Sequence, residues 1–363
     1  MNYRGKRVLV TGATGFIGGR LSERLAFEQG AEVRALVRDW RQAIWLSRVP
    51  ASVIAGDVTQ PESLKQAMEG CEIVFHCIGV GGTSDTCAEV NVKGTRHVVQ
   101  AAEDAGVQRV VYLSSIVVHG PGLPDPASET APLVRTGNPY GDTKVAAEEV
   151  IASFVRDHSL PVVILRPTQV WGPRSEWFSV DPIRQMRAWT WQLVDEGAGT
   201  CYAVYVDNLV DAMLLAGQAS VGSGEAFLIT DDQPCTWAEF FMEYARMVGI
   251  ASLPSVSSAR ALNPALRRLD RLLNQAHDLV DPRLPNVEPL RFLFRATRYS
   301  LRKARWVLGA GSIFDEWDLI KYSRCYRMDT SKAKAHLGYT PRVSRCEGMA
   351  QTERWLRDQR VIK

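Results

Sequence analysis

The pattern of apolar and polar positions changes period repeatedly along the first half of the chain. Short runs rich in β-branched residues predict buried strands, and the stretches between them carry the 3.6-residue period of amphipathic helices. The predicted strands cover residues 8–11, 32–37, 52–55, 73–77, 109–114 and 162–166. The predicted helices cover residues 18–28, 61–69, 91–105 and 141–158. This alternation is typical of an α/β fold with a doubly wound parallel sheet, whose ligands lie at the carboxyl ends of the strands.

The first predicted strand runs into three glycines spaced three residues apart, and a helix follows. Such a turn lets the backbone approach a pyrophosphate, and the first N–H groups of the helix face it with the positive end of the helix dipole. The pattern therefore predicts the dinucleotide site of a Rossmann-type sheet. A turn that serves only close packing of strand and helix is the competing interpretation. The loop residues predicted to contact the cofactor are Gly12, Thr14, Gly15, Phe16, Ile17 and Gly18.

The regular alternation stops near Trp171-Gly172-Pro173, and further on a strand pattern returns at residues 226–230. We therefore predict a dinucleotide-binding domain over residues 1–173, completed by a return segment near 200–232. Residues 174–199 and 233–363 are predicted to form a smaller, mostly helical C-terminal lobe that binds the substrate.

Composition and charge narrow the class of protein. Of 363 residues, 46% are hydrophobic and 23% are charged, and the net charge of +3 does not indicate nucleic-acid binding. The seven cysteines show neither a C-x-x-C pair nor metal-ligand spacing, so we expect reduced thiols, a cytoplasmic location and no metal. The first strand begins too early for a signal peptide, and no run of 18 apolar residues occurs, so we expect no membrane span.

One segment departs from this balance of charge. Residues 260–305 contain eleven basic and four acidic residues, which gives a net charge of +7. Within it Leu262, Leu266, Leu269 and Leu273 mark one stripe of an amphipathic helix. A helix that packs on the C-terminal lobe with a solvated basic face is the first interpretation. A peripheral membrane contact through residues 260–305 is the second.

Tyr140 and Lys144 begin a predicted helix and lie on one face of it, one turn apart. A neighbouring ammonium favours the phenolate and brings the pKa of a tyrosine toward the working range of an acid–base catalyst. Ser114 and Ser115 stand at the end of a predicted strand and add a hydroxyl group. These side chains predict proton transfer at a carbonyl group without a metal. An ordinary strand-end serine and a solvated helix lysine are the competing interpretations.

The sequence resembles the extended short-chain dehydrogenase/reductase family over nearly its whole length. The segments that carry the resemblance are 11–18, 57–58, 75–79, 91–95, 113–120, 166–167, 171–173, 205–208 and 331–341. The resemblance implies that Tyr140 is the general acid/base, Ser115 hydrogen-bonds the substrate oxygen and Lys144 holds the nicotinamide ribose. It also implies a homodimer, commonly formed through the helix that bears Tyr140. The further cofactor contacts that it implies are Asp57, Val58, Cys77, Ile78, Gly79, Asn91 and Pro167, besides Tyr140 and Lys144.

The end of the second predicted strand bears on the choice of cofactor. Enzymes that use NAD place an acid there to bind the ribose 2′-hydroxyl, whereas this chain has Val37 followed by Arg38. An arginine suits a 2′-phosphate, so we predict NADP(H) as the favoured cofactor. NAD(H) is the alternative, with Asp39 as the acid that binds the ribose.

Three departures separate the chain from the nucleotide-sugar enzymes of that family. Ile116 and Val117 follow Ser115, where sugar dehydratases carry an acidic pair. Thr168-Gln169 stands where those enzymes usually have an asparagine that binds the diphosphate. Residues 197–202 lack the arginine with which those enzymes often bind a phosphate.

Other segments are similar to the 3β-hydroxysteroid dehydrogenase-like branch, namely residues 165–173, residues 205–212 and the long Leu/Arg-rich insertion. We therefore predict an NAD(P)-dependent oxidoreductase that interconverts a secondary alcohol and a ketone. Its substrate is predicted to be a small hydrophobic molecule, sterol-like, polycyclic or a β-keto lipid. The alternatives are a nucleotide-sugar 4-epimerase with tightly bound NAD and a protein that binds the cofactor without catalysis.

Overall fold

A computed structural model of the chain describes residues 3–261 and 316–363. Its central sheet contains β1 (Arg7–Thr11), β2 (Glu32–Val37), β3 (Ala51–Ala55), β4 (Ile73–His76), β5 (Arg109–Leu113), β6 (Val162–Pro167) and β11 (Glu225–Ile229). The shorter strands are β7 (Val170–Trp171), β8 (Leu193–Val194), β9 (Thr200–Cys201), β10 (Val204–Tyr205), β12 (Cys235–Thr236) and β13 (Ser255–Val256). The seven long strands are parallel, in the order β11-β6-β5-β4-β1-β2-β3. The predicted Rossmann-type fold is confirmed.

The helices alternate with these strands along the chain. They are α1 (Phe16–Glu23), α2 (Pro61–Met68), α3 (Ser84–Cys87), α4 (Gly94–Asp104), α5 (Pro139–Asp157), α6 (Asp181–Arg187), α7 (Val206–Ala216), α8 (Trp237–Met247), α9 (Ser258–Ala261), α10 (Glu316–Ser323), α11 (Ser331–Leu337) and α12 (Arg345–Asp358). Segments of 3-10 or π helix lie at Arg24–Glu28, Trp40–Arg48, Ala88–Lys93, Ile116–His119, Glu176–Val180 and Asp195–Gly197. The order of strands reverses between β1 and β4, so the carboxyl ends of these two strands mark the ligand crevice expected of such a sheet.

The core lies on both faces of the central sheet, because successive strand residues point to opposite sides. One face packs on α1 and α7 through Val10, Phe75, Val111 and Leu165. The other face packs on α2, α4 and α5 through Leu9, Val74, Tyr112 and Ile164. Burial on both faces explains why these strands read as continuous apolar runs in the sequence.

The chain divides into two compact units. The first unit comprises residues 1–170, 203–232 and 327–345, and it holds the seven-stranded sheet. The second comprises residues 171–202, 233–326 and 346–363, and its described part is mostly helical, with the short strand pairs β9/β12 and β8/β13. These bounds differ from the predicted ones chiefly at residues 327–345, which the sequence analysis assigned to the C-terminal lobe.

Polar contacts explain why residues 327–345 belong with the sheet. The side chain of Asn208 on α7 accepts hydrogen bonds from the backbone N of Arg342 and of Val343, at 3.0 and 2.9 Å, and donates to the Val343 carbonyl at 2.9 Å. Tyr339 donates its hydroxyl to the Thr230 carbonyl at the end of β11, at 3.1 Å. The sequence pattern did not indicate these contacts because they join positions more than 100 residues apart.

The remaining general expectations concern membranes and metals. Within residues 3–261 and 316–363, no helix has the length and hydropathy needed to cross a membrane. The same described part of the chain holds no group of three His, Cys, Asp or Glu side chains suited to a metal ion. Apart from its first two residues, the predicted basic segment 260–305 lies outside the described residues.

Candidate active site

The glycine-rich turn joins β1 to α1 at the carboxyl edge of the sheet. Gly12 has a φ of +71°, which glycine adopts without strain, and its carbonyl oxygen accepts a hydrogen bond from Gly15 N at 2.9 Å. A Cβ atom on Gly18 would lie 2.4 Å from that oxygen, so α1 starts in direct contact with the turn. Gly15, at the N-cap, brings no side chain to the first N–H groups of α1. The close-packed backbone and these N–H groups fit the pyrophosphate of a dinucleotide.

The residues that follow β4 lie beside this turn. Cys77 N donates to the Thr11 carbonyl at 3.3 Å, and a Cβ atom on Gly12 would lie 3.2 Å from the Cys77 carbonyl. A Cβ atom on Gly79 would lie 3.1 Å from Lys144 Nζ and 3.5 Å from Tyr140 Cε2. The segment 77–79 therefore lies between the glycine-rich turn and the two predicted catalytic side chains of α5.

Lys144 is held at the ends of two central strands. Its side chain is buried, and Nζ donates hydrogen bonds to the carbonyl oxygens of Ile78 at 3.3 Å and Leu113 at 2.8 Å. The ammonium lies 4.9 Å from the centre of the Tyr112 ring. Burial lowers the pKa of Lys144 to about 8, and electrostatic interactions with Cys77 and Glu148 oppose this shift.

Tyr140 and Ser115 carry the two hydroxyl groups of the predicted site. Asn138 caps α5 by accepting a hydrogen bond from Gly141 N at 3.0 Å, which fixes Tyr140 in the first turn of the helix. Ser115 follows β5 and caps the short 3-10 helix Ile116–His119. Burial raises the pKa of Tyr140 to about 12, while a hydrogen bond with Ser115 lowers it and Cys87 raises it.

This pKa differs from the expectation that Lys144 would favour the phenolate of Tyr140. The ammonium donates to two carbonyl groups and lies 5.9 Å from the centre of the Tyr140 ring, so burial dominates the pKa of the tyrosine. The phenol is therefore protonated at neutral pH. In that form it is suited to donate a proton rather than to accept one.

A buried ion pair between Glu148 and Arg166 supports the face of α5 that carries Tyr140 and Lys144. Glu148, one turn after Lys144, accepts hydrogen bonds from Arg166 Nε at 3.0 Å and Arg166 Nη2 at 2.6 Å, and from the hydroxyl of Ser114. Arg166 Nη1 lies 3.2 Å from His119 Nε2, while His119 Nδ1 lies 3.0 Å from the Pro132 carbonyl. A carbonyl only accepts, so the proton of the neutral ring sits on Nδ1. Burial, the largest cause, lowers the pKa of His119.

This ion pair was not predicted from the sequence. The signal was present in the four-residue spacing of Tyr140, Lys144 and Glu148, which places all three on one face of α5. The arginine comes from β6, which pairs with β5 in the sheet. The network thus ties the ends of β5 and β6 to the helix that carries Tyr140.

Asn91 links the segment after β4 to α5. Its side chain is buried, accepts from Val80 N at 2.9 Å, and donates to the Val80 carbonyl and to Thr143 Oγ1, both at 2.9 Å. The side chain therefore joins α5 to the segment after β4. Its contact with the cofactor stays a prediction.

His76, at the end of β4, extends this polar chain toward β1. Thr95 donates to the Asn91 carbonyl at 2.6 Å, so its oxygen accepts from His76 Nε2 at 3.1 Å. His76 Nδ1 then accepts from Thr11 Oγ1 at 2.7 Å. Burial lowers the pKa of His76 to about 3, so the ring is a neutral link between strand ends.

The residues after β2 and β3 form the other end of the predicted cofactor site. The Arg38 side chain is 66% exposed and lies 3.9 Å from the carboxylate of Asp57. Asp57 accepts from both the N and the hydroxyl of Thr59 at 2.9 Å. Asp39 accepts from Arg41 Nε at 3.0 Å and Arg41 Nη2 at 2.8 Å. The carboxylate of Asp39 is thus already paired, whereas the guanidinium of Arg38 is accessible.

The other predicted contacts occupy defined positions. Val58 is buried, and a Cβ atom on Gly94 would lie 2.8 Å from its side chain. Pro167 is the last residue of β6 and pairs with Ile229 of β11. Thr14 accepts a hydrogen bond through its carbonyl from the Trp45 indole at 3.4 Å. Phe16 and Ile17 form the first turn of α1, next to the glycine-rich turn.

The fold and this site define a nicotinamide-dependent enzyme of the short-chain dehydrogenase/reductase type. A model of the NAD dependent epimerase/dehydratase family matches residues 8–230, so the chain belongs to that family. The "4-hydroxy-2-methyl-3-oxo-4-farnesyl-3,4-dihydroquinoline-1-oxide ketoreductase" of Stigmatella aurantiaca is 32% identical over 67% of this chain and 74% of the relative. A 3-beta-hydroxysteroid dehydrogenase of Mycolicibacterium neoaurum is 30% identical over 93% of this chain and 96% of the relative.

Among solved structures, an epimerase from Methanothermobacter thermautotrophicus matches with a TM-score of 0.73 and 22% identity, over 98% of this chain and 94% of the other. At that identity the match shows the fold. The two relatives place the chain in the 3β-hydroxysteroid dehydrogenase-like branch of the extended family. The protein is therefore an NAD(P)-dependent oxidoreductase of this type, as its sequence motifs predicted.

Proposed function

We propose that the protein interconverts a secondary alcohol and a ketone on a small hydrophobic substrate, with NADP(H) as the preferred cofactor. One observation carries the proposal. The hydroxyl groups of Ser115 and Tyr140 interact, and the Tyr140 ring and the Lys144 ammonium both lie beside Gly79. A carbonyl oxygen placed between the two hydroxyl groups would have a hydrogen-bond donor and a proton donor on it at once.

Each side chain has one task in this reaction. The nicotinamide, when bound, supplies or accepts the hydride. Tyr140, protonated at neutral pH, donates its phenolic proton to the oxygen of the ketone, and Ser115 donates a hydrogen bond to the same oxygen. Lys144 keeps a positive charge near the phenol, which stabilises the phenolate left after proton transfer. In the direction of alcohol oxidation, the phenolate of Tyr140 accepts the proton of the alcohol hydroxyl.

The residues after Ser115 and the similar proteins support a hydrophobic substrate. Ile116, directly after Ser115, is buried, and Val117 follows it, so neither position offers a carboxylate for an elimination step. Two similar proteins are named for a farnesyl-bearing quinoline oxide and for a steroid, which are both largely apolar ketone or alcohol substrates. We infer the same class of substrate for this chain.

The pairing at the end of β2 supports NADP(H). Arg41 holds the carboxylate of Asp39 in two hydrogen bonds, which leaves that acid poorly placed to receive a ribose hydroxyl. The guanidinium of Arg38 is two-thirds exposed and only loosely paired with Asp57, at 3.9 Å, so its planar fork can meet a 2′-phosphate.

The first test concerns the proton donor. We expect Tyr140→Phe to lower kcat for ketone reduction by roughly 10²–10⁴-fold, because the ring remains and the proton is lost. Binding of NADPH, measured by quenching of intrinsic fluorescence, should remain unchanged. Turnover equal to that of the unmodified enzyme would contradict the acid/base role.

The assay also separates the oxidoreductase from a sugar epimerase. A reductase consumes one NADPH for each ketone reduced, in a panel of ketones of rising hydrophobicity. NAD retained through purification, with conversion of a nucleotide sugar and no net consumption of free cofactor, would favour the 4-epimerase.

The second test concerns the cofactor. We expect Arg38→Ala to weaken NADPH binding by about 10–100-fold, because a hydrogen bond between two charged groups is worth about 1.5–3 kcal/mol, and to leave NADH binding nearly unchanged. Arg41→Ala is the matched control, since it removes a neighbouring charge and releases Asp39. That variant should bind NADH better. An unchanged ratio of the two affinities in Arg38→Ala would point to NAD as the natural cofactor.

A further inference from the structure

Two cysteines that are 34 positions apart in the sequence face each other in the second unit. Cys201 in β9 and Cys235 in β12 are direct partners in an antiparallel pair of strands. Directly opposite residues in such a pair have their side chains on the same face, with Cβ atoms about 4.5–5.5 Å apart. The two thiols are therefore neighbours, although nothing in their spacing along the chain indicates it.

The register places this pair within reach of a disulfide bond. Trp237 N donates to the Gly199 carbonyl at 3.1 Å, which makes residues 237 and 199 a hydrogen-bonded pair. Two residues further along each strand, Cys235 and Cys201 occupy the equivalent position, where Cα atoms lie about 5.5 Å apart. Disulfides span Cα distances of about 4.4–6.8 Å. The Cβ atoms of a disulfide lie about 3.5–4.5 Å apart, which is shorter than the roughly 4.5–5.5 Å typical of opposite strand residues, so the two strands must approach slightly.

We propose that Cys201 and Cys235 form a reversible disulfide when the protein meets a small-molecule disulfide such as oxidised glutathione. Cys235, which is partly exposed, is the entry point, and Cys201 is buried behind it. The thiolate of Cys235 attacks the glutathione disulfide and releases one reduced glutathione. The thiolate of Cys201 then attacks the Cys235 sulfur and releases the second. Two protons leave the protein, both cysteines are oxidised and one disulfide is reduced to two thiols.

The position of the bond suggests what it constrains. Cys235 stands directly before Thr236, which caps α8 by accepting from Glu239 N at 3.1 Å. On the other side of β9, Thr200 N donates to the Arg324 carbonyl at 2.9 Å. A bond between residues 201 and 235 would therefore fasten the start of α8 to β9. Closing a loop of this length restricts the unfolded chain, so we expect the oxidised protein to unfold several degrees higher.

A third cysteine provides an internal control. Cys325 is exposed and donates to the Ala198 carbonyl at 3.6 Å, so it lies beside the same strand without being a register partner of Cys201 or Cys235. If exposure alone decided the chemistry, oxidised glutathione would modify Cys325 and leave it as a mixed disulfide. The proposal instead requires a bond between the two residues that face each other.

The experiment is peptide mapping of the whole protein after oxidation. The protein is incubated with oxidised glutathione, its remaining thiols are alkylated, and it is digested with a protease that cleaves after glutamate. Digestion at about pH 4 keeps thiolate scarce and exchange slow. Cleavage after Glu196, Glu225 and Glu239 puts Cys201 in fragment 197–225 and Cys235 in fragment 226–239. Trypsin would leave both in one peptide.

We expect the two fragments to be joined in a species that dithiothreitol separates. Cys201→Ala should leave glutathione on Cys235, because the resolving thiol is missing, and Cys235→Ser should abolish the cross-link. Cys325→Ser should leave the cross-link intact. Unlinked fragments in the unmodified protein, a persistent glutathione adduct on Cys235, or a link from either residue to Cys325 would each overturn the proposal. The mapping of the unmodified chain needs no variant to fold.

Discussion

At the scale of single residues, the ammonium of Lys144 combines three contacts in a buried place. Two carbonyl groups accept its hydrogen bonds, and the face of Tyr112 lies 4.9 Å away. An aromatic face favours a cation, whereas burial disfavours it. Burial outweighs the aromatic contact, and the pKa of Lys144 falls to about 8, within the range where a small change in pH alters its charge.

This pKa predicts the pH dependence of the reaction. Because the pKa of Lys144 is lowered from 10.5 to about 8, its charge is complete at neutral pH and disappears as the pH rises through 8. We expect kcat/KM for ketone reduction to be constant near neutrality and to fall above about pH 8. Lys144→Arg keeps its charge in that range and should lose this alkaline fall. The same fall in both proteins would assign it to another group.

Variants of Tyr112 test the contribution of the ring to the same pKa. Tyr112→Phe keeps the aromatic face, so the alkaline limb of the pH profile should not move. Tyr112→Leu removes the face, which disfavours the charged lysine, and the limb should move down by roughly one pH unit. Equal profiles for the phenylalanine and leucine variants would show that the ring does not stabilise the charge.

At the scale of elements, α5 is both the carrier of Tyr140 and the anchor of two strands. Its inner face presents Tyr140, Lys144 and Glu148 in successive turns, and Glu148 holds Arg166 of β6 and Ser114 after β5. The outer face carries Glu149, which pairs with Arg135 near the surface. Two adjacent glutamates on one helix thus have opposite environments.

These two glutamates make a matched pair of variants. We expect Glu148→Gln to lower the free energy of unfolding by about 3–5 kcal/mol, because it leaves the buried guanidinium of Arg166 without its counter-charge. Glu149→Gln removes a half-exposed partner and should cost about 1 kcal/mol or less. Urea unfolding of both proteins measures the difference. Similar losses would show that the inner pair is not the anchor described here.

At the scale of the whole molecule, the side chain of Asn208 holds the backbone of residues 342 and 343 against α7. Asn208→Ala removes the acceptor for two backbone N–H groups and the donor to the Val343 carbonyl. We expect a loss of about 2–4 kcal/mol in the free energy of unfolding and faster trypsin cleavage after Arg342. A protein with unchanged stability and an unchanged cleavage pattern would contradict this assignment.

The sequence predicted whatever is encoded locally. Strand periods, the glycine spacing and the turn between Tyr140 and Lys144 each lie within a few neighbouring residues, so the doubly wound parallel sheet was accessible, whereas the joint role of Ser115 and Tyr140 came from the family resemblance. The pairing of Cys201 with Cys235 and the placement of residues 327–345 arise from contacts between distant segments. The pKa of Tyr140 was misjudged because burial, which spacing does not reveal, outweighs the nearby charge.

Two whole-molecule expectations stay predictions. The homodimer through α5 would use a surface whose exposed positions, on α4 and α5, are mainly charged or polar, among them Arg96, Gln100, Asp104, Glu149 and Arg156. The membrane contact through residues 260–305 falls outside the described residues, apart from the first two.

Gly79 has a consequence for how such an enzyme loses or changes its chemistry. A methyl group at that position would lie 3.1 Å from the amine of Lys144 and 3.5 Å from an aromatic carbon of Tyr140. The neighbouring ammonium would have to shift by a few tenths of an ångström, whereas no atom of the sheet or of the ion pair of Glu148 with Arg166 is among the three nearest to that methyl group. We therefore expect Gly79→Ala to lower the rate of the reaction more than the stability of the protein.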